Sequence, residues 1–229
     1  MKTTITSVAS SLLVAVGLTG FAAVAQAADL PAAPYFKAQP PEAWNPWMIR
    51  LRALGVVTRD SGYVDQVPGS GLKTTDSLVP ELDISYFFTR NIAAELILGV
   101  TKHSVSGTGT LTGIDVGKAW LLPPTLTLQY HLTDFGAFKP YVGAGVNYTF
   151  FFSQSAAGGV VTASKLHDTA APVAQIGFDY MLNKNWGWNV DVKKVWLRPS
   201  WNGVAGGLPV TGKVNLDPWL IGTGITYKF

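Results

Sequence analysis

The chain has 229 residues, 24 glycines, no cysteine, 12% aromatic and 14% charged residues, and a formal net charge of +3. So slight a charge gives no basic footprint for a nucleic-acid partner, and the lack of cysteine removes thiolate metal sites and disulfide frameworks. Low charge with abundant glycine and aromatic residues suits a β-barrel better than a soluble core.

Residues 1–27 read as an export signal, with Lys2 as its positive end, an apolar stretch from Leu12 to Val24, and Ala25-Gln26-Ala27 as a small-residue cleavage site. The stretch contains Gly17, Thr19 and Gly20 and falls short of the ~20 residues that a membrane anchor needs. The mature chain is expected to begin near Ala28. Residues 28–46 carry Pro31, Pro34, Pro40, Pro41 and Pro46, which favour an extended periplasmic segment over a helix or central strand. No later stretch reaches ~18 uninterrupted apolar residues, so any membrane span must be made of strands.

From Trp47 the dominant signal is alternation with period two, which sends successive side chains to opposite faces of a strand. In Trp47 to Val57, Trp47, Ile49, Leu51, Ala53 and Val57 oppose Arg50 and Arg52. In Leu78 to Phe87, Leu82, Ile84 and Tyr86 oppose Glu81, Asp83 and Ser85; next, Ala94, Leu96 and Leu98 oppose Glu95 and Gly99. A fourth strand over Pro124 to Leu132 sets Leu126, Leu128 and Tyr130 against Thr127, Gln129 and His131. A fifth, Phe138 to Phe152, sets Val142, Ala144 and Val146 against Gly143, Gly145 and Asn147. The sixth opposes Ile176 and Phe178 to Gly177 and Asp179, the seventh Trp188, Val190 and Val192 to Asp191 and Lys193, and the last Ile221 and Ile225 to Gly222 and Gly224.

Connections alternate short (near Thr89, Thr133 and Asn183) and long, as short periplasmic turns and external loops do; a soluble β-sandwich has no reason to keep its long connections at one end. The expectation is therefore an all-β protein: an eight-stranded antiparallel up-and-down transmembrane β-barrel over 47–229, with short periplasmic turns and long extracellular loops, in the outer membrane of a Gram-negative bacterium. Lys or Arg facing hydrocarbon costs roughly 2–4 kcal/mol at the bilayer midplane. The polar face must then line the interior, which places Arg50, Arg52, Glu81, Asp83, Glu95, Gln129, Asn147, Asp179, Asp191 and Lys193 inside. Lys194 has outward parity and is expected near lipid phosphates at the upper end of its strand. Trp47, Tyr86, Trp188, Tyr227 and Phe229 are expected to form an outward aromatic girdle.

The segments Trp47-Met48-Ile49-Arg50-Leu51-Arg52, Asp83-Ile84-Ser85-Tyr86-Phe87 and Asn91-Ile92-Ala93-Ala94-Glu95-Leu96, and above all PPTLTLQYHLTDFGAFKPYVGAGVNYTFF from Pro123 to Phe151, resemble the OmpW family of small outer-membrane barrels. The resemblance runs from about Pro46 to Phe229. It implies an eight-stranded barrel with a narrow hydrophobic interior path, passage of small apolar molecules and, in some members, phage or bacteriocin attachment.

A barrel of that size holds little beyond its own side chains, which makes a wide aqueous pore physically implausible. Gly99, Gly143, Gly145, Gly177, Gly222 and Gly224 point inward by parity, and they either open a narrow path or relieve crowding. Leu111, Trp120, Leu121, Phe151, Trp201 and Leu208 give the external half an apolar mouth that would favour a hydrophobic solute over an ion. The expected function is a narrow passive path for small hydrophobic molecules, with exit down the barrel or sideways into lipid. The alternatives are a surface receptor for phage, bacteriocin or host contact and, from another class, a lipid-modifying barrel enzyme. The three histidines, His103, His131 and His167, give that enzyme little to work with, and neither metal spacing nor a cofactor motif is present. Expected partners are outer-membrane lipid and lipopolysaccharide, a small hydrophobic ligand, and the barrel-assembly machinery acting through Phe229.

Overall fold

The computed structural model describes residues 44–58 and 61–229. The expected signal over 1–27 and all but the last three residues of the proline-rich segment lie outside them.

Among the described residues fifteen strands follow in chain order: β1 (Trp47–Val57), β2 (Ser61–Val64), β3 (Ser70–Thr74), β4 (Ser77–Phe87), β5 (Ile92–Gly99), β6 (Thr101–Gly109), β7 (Asp115–Leu122), β8 (Thr125–His131), β9 (Phe138–Ala156), β10 (Val161–Leu166), β11 (Thr169–Met181), β12 (Trp186–Val195), β13 (Ser200–Ala205), β14 (Leu208–Asn215) and β15 (Trp219–Lys228). Eight of them close the barrel in the order β1-β4-β5-β8-β9-β11-β12-β15, with β15 pairing back to β1 and every ladder antiparallel. Closure pairs the strands around the whole circumference at the level of these ladders, as a wall in hydrocarbon needs, where an unpaired backbone N–H or C=O has no water to bond.

The long external connections are there, but they are not irregular. β3, β6 and β7 continue the wall upward to join β9, and β10, β13, β14 and β2 form a second sheet beside them. Alternation inside those connections, such as buried Thr101, His103 and Val105 between exposed or half-buried neighbours, is the local cause. β9, at 19 residues, is about 60 Å long at ~3.3 Å per residue. The apolar band of such a barrel is only ~25 Å tall, so much of the wall rises beyond the lipid.

The outer surface is the apolar face. Leu126, Leu128, Val142, Val146, Ile176, Ile221 and Ile225 are all more than half exposed. Aromatic rings mark the lower rim in edge-on pairs, Trp47 with Tyr86, Trp186 with Tyr227 and Tyr227 with Phe229, at centroid separations of 4.8–5.0 Å. Lys194 does not stand free in the lipid headgroups: its ammonium donates to the Asp217 carbonyl and lies 4.9 Å above the Trp219 ring.

Candidate functional site

The interior rows change character along their length. On β1 the inward positions run Arg50, Arg52, Leu54, Val56; on β5, Glu95, Ile97; on β11, read upward, Asp179, Gln175, Val173; on β12, Asn189, Asp191, Lys193, Val195. The lower middle of the barrel is therefore polar and the upper part apolar.

The polar level is a connected network of ion pairs and hydrogen bonds. Arg50 donates through NH1 to Glu95 Oε1 at 2.6 Å and holds Asp179 with two bonds, Nε to Oδ1 at 3.0 Å and NH2 to Oδ2 at 2.6 Å. Arg52 NH2 meets Glu81 Oε1 at 2.6 Å and Asp83 Oδ2 at 2.5 Å, while its NH1 donates to Asn189 at 2.9 Å. Lys193 bridges Asp191 at 2.6 Å and Glu81 at 3.3 Å. Gln129 and Gln175 donate to Glu95, Gln175 and Tyr141 to Asp191, and Thr226 to Asp179. Buried charge is tolerable only when paired in this way, and here Asp83 meets Arg52 as an ion pair without a hydrogen bond. The network sets three cations, Arg50, Arg52 and Lys193, among five carboxylates, Glu81, Asp83, Glu95, Asp179 and Asp191. Arg50, Asp83, Glu95, Asp191 and Lys193 are 0% exposed. Of the ten polar residues named from sequence, nine meet in this layer, while Asn147 stands higher, donating to Thr125 Oγ1 and the Pro123 carbonyl.

The inward glycines serve this layer. Each faces large neighbours in register: Gly143 lies between Gln129 and Gln175, Gly177 between Tyr141 and Asp191, Gly222 between Leu54 and Asp191, and Gly224 between Arg52 and Asn189. A Cβ on Gly177 would fall 2.6 Å from the Tyr141 hydroxyl, and one on Gly145 or Gly224 would fall 2.0 Å from the Leu126 or Leu51 carbonyl oxygen. Packing thus favours relief of crowding over a path at Gly145, Gly177 and Gly224. Gly99 differs, since its Cβ would meet only the Pro80 carbonyl, at 3.6 Å. Gly224→Ala is expected to cut the yield of folded, heat-modifiable barrel on gels sharply. Gly222→Ala, whose nearest contact would be Arg52 Cδ at 3.4 Å, is expected to fold like the parent.

Above the network lies a chamber with walls that include Leu54, Val56, Val79, Ile97, Leu197 and Leu220, bounded below by Glu81 and Lys193. Its free volume of about 60 Å³ is several times the ~10–15 Å³ that one water occupies. Below the network a vestibule of about 580 Å³ opens toward the periplasm between Met48, Phe87, His131, Lys139 and Lys228. The layer of Arg50, Arg52, Tyr141, Gln129 and Gln175 separates the two.

The expected mouth needs correction. Leu121, Phe151 and Trp201 are buried, and Leu111 packs against them. Trp120 and Leu208, at 39% and 69% exposed, face outward and line no mouth, because Trp120 adjoins inward Leu121 on one strand and Leu208 starts β14 at the outer tip. Nor is the external end an open funnel: Leu72, Val105, Val116, Trp201 and Val214 close over the chamber as a packed apolar cap. The inward apolar residues Leu54, Val56, Ile97 and Val195 belong to the site and were not among the expected ones; continuing the inward parity past Arg52, Glu95 and Lys193 would have found them.

Two of the three histidines make local hydrogen-bond contacts through one ring nitrogen. His131 Nε2 lies 2.9 Å from Gln129 Oε1, and His103 Nδ1 lies 2.6 Å from the Thr75 carbonyl oxygen.

A closed eight-stranded barrel with a lipid-facing apolar exterior and a charged interior defines an outer-membrane protein, and comparison with known proteins gives its kind. The chain matches the OmpW family over residues 47–229 and belongs to it. It is 54% identical, across 94% of both chains, to the outer-membrane protein y4mB of Sinorhizobium fredii. It is 30% identical to the dibenzothiophene metabolism operon protein PahQ of Pseudomonas aeruginosa, covering 81% of this chain and 89% of that one. The crystal structure of the outer membrane protein OprG from Pseudomonas aeruginosa superposes with a TM-score of 0.74 at 29% identity, covering 80% of this chain and 95% of that one. The protein resides in the outer membrane of a Gram-negative bacterium, in contact with its lipid and lipopolysaccharide.

Proposed function

We propose that the barrel admits small hydrophobic molecules from outside into the upper chamber and releases them sideways into the membrane. The observation that carries this reading is an apolar chamber seated on a sealed charged layer. Desolvating a solute with no polar groups costs nothing in such a chamber and returns roughly 25 cal/mol for each Å² of apolar surface buried. Passing the same solute downward would require parting salt bridges in low dielectric.

The wall offers an exit. Pairing of β5 with β8 stops at Ile97↔Thr125 and resumes between β6 and β7 only at Thr101↔Leu121. Leu98, Gly99 and Val100 therefore face Leu122, Pro123 and Pro124 without a ladder, and the two prolines have no N–H to offer one. Gly99 and Pro123 line the chamber, and Val100 is exposed on the lipid side. Ingress from outside requires the side chains of the cap to part, a rearrangement of packed rotamers and not of the barrel. The likeness to a protein named for a dibenzothiophene operon supports an apolar, aromatic solute. Phe229, whose N–H donates to the Trp47 carbonyl at the closing seam, is proposed as the contact with the assembly machinery.

In proteoliposomes the barrel is expected to accelerate uptake of an apolar tracer over protein-free vesicles and to leave a charged tracer of equal size unaffected. Equal rates for the apolar tracer with and without protein would refute transport and favour the receptor reading.

A further inference from the structure

Resting on that reading of the chamber, we infer that it selects apolar molecules carrying a single uncharged hydroxyl, an alcohol or a phenol, which Thr101 and His103 hold from the inward face of β6. The two side chains are two residues apart on that face, both are buried, and both line the chamber.

The chemistry at His103 is fixed by its neighbour. A carbonyl oxygen only accepts, so the 2.6 Å contact with Thr75 requires the proton to sit on Nδ1. Thr75 is itself held in place, its N–H donating to the Ser104 carbonyl and its hydroxyl accepting from the Ser104 N–H. Nε2 is then a neutral acceptor, and among the described residues it has no hydrogen-bond partner. A second proton would place an unpaired charge on a buried ring, so the imidazole is held neutral. Thr101, with no hydrogen bond through its hydroxyl among the described residues, both donates and accepts.

The other polar groups bordering the chamber are occupied with one another. Asn147 donates to Thr125 and the Pro123 carbonyl and accepts from Thr149, while Lys193 is spent on Glu81 and Asp191. A ligand hydroxyl can donate to His103 Nε2 and accept from Thr101. A carboxylate would offer His103 no proton and would sit above a layer richer in carboxylates than in cations. A plain hydrocarbon would leave both groups unbonded. The arrangement therefore discriminates by the group that buried polar atoms need.

The test compares p-cresol with p-xylene, which differ by a hydroxyl in place of a methyl, by ligand-observed NMR on the protein in nanodiscs, with empty nanodiscs subtracted. His103→Leu is expected to weaken p-cresol about fivefold, the worth of one neutral hydrogen bond, without weakening p-xylene. Thr101→Val is expected to act in the same direction, and His103→Gln, which keeps an acceptor, to retain most of the p-cresol binding. If p-cresol is unaffected by both His103→Leu and Thr101→Val, or if both ligands weaken together, the hydroxyl assignment is overturned while the chamber stands. If the parent protein binds neither ligand, the uptake reading fails and this inference with it. Should His103→Leu not fold, Thr101→Val decides on the same criterion.

Discussion

Arg50→Leu is expected to destabilise the barrel by about 3–5 kcal/mol, because removing one partner of a buried ion pair leaves the other charge uncompensated. Here two carboxylates are stranded. Glu95 and Asp179 both lose their 2.6 Å contacts, and Ser85 loses its bond to NH1. The three carboxyl-bearing and cationic strands involved, β1, β5 and β11, are not neighbours in the barrel, so the loss is felt across its whole cross-section. Urea unfolding in lipid vesicles, followed by tryptophan fluorescence, reads the effect. The cause is separable from lost packing: combining Arg50→Leu with Glu95→Gln and Asp179→Asn should recover much of the stability, since the cost lies in the unpaired charges. An unchanged midpoint for Arg50→Leu alone would mean that the network contributes nothing to holding the barrel shut.

Gly99→Phe is expected to lower uptake of an apolar tracer by about tenfold or more with the barrel intact, since an added ring overfills so small a chamber. The inward row of β5 brings Gly99 to the chamber wall beside the unpaired stretch of strand, and the built-in clearance of 3.6 Å to the Pro80 carbonyl leaves room for a first carbon. Gly99→Ala should accordingly transport at close to the parent rate. Circular dichroism and the heat-modifiable gel shift establish that both variants are folded. Full uptake by folded Gly99→Phe would rule out a route through this part of the chamber.

Alternation carried most of the fold. Each barrel strand was legible because a one-residue slip would turn Arg50, Asp83 or Asp191 toward hydrocarbon, so register and environment constrain each other. Pairing across the lumen was not legible. Arg50 and Asp179 stand 129 residues apart, and only the closing of the sheet brings them together. Turn lengths alone predict loops where the external wall stands, although β6 and β7 alternate like the strands below them. Trp120 and Leu121 cannot share one mouth, because adjacent residues of a strand part to opposite faces. The chamber is not marked by polarity, since Leu54, Val56, Ile97 and Val195 are as apolar as the lipid face and only their parity, shared with the charges below them, turns them inward. The glycines gave no sign in sequence of whether their volume stays empty, since that depends on which large side chain lies opposite, such as Tyr141 beside Gly177.

The sealed layer of three cations and five carboxylates bears on the economy of the whole cell. A pore wide enough for nutrients is also wide enough for antibiotics and for salts, and its abundance must be held in check. A cylinder stopped by such a layer passes neither, so many copies of it in one membrane leave the permeability of that membrane to ions and polar nutrients unchanged.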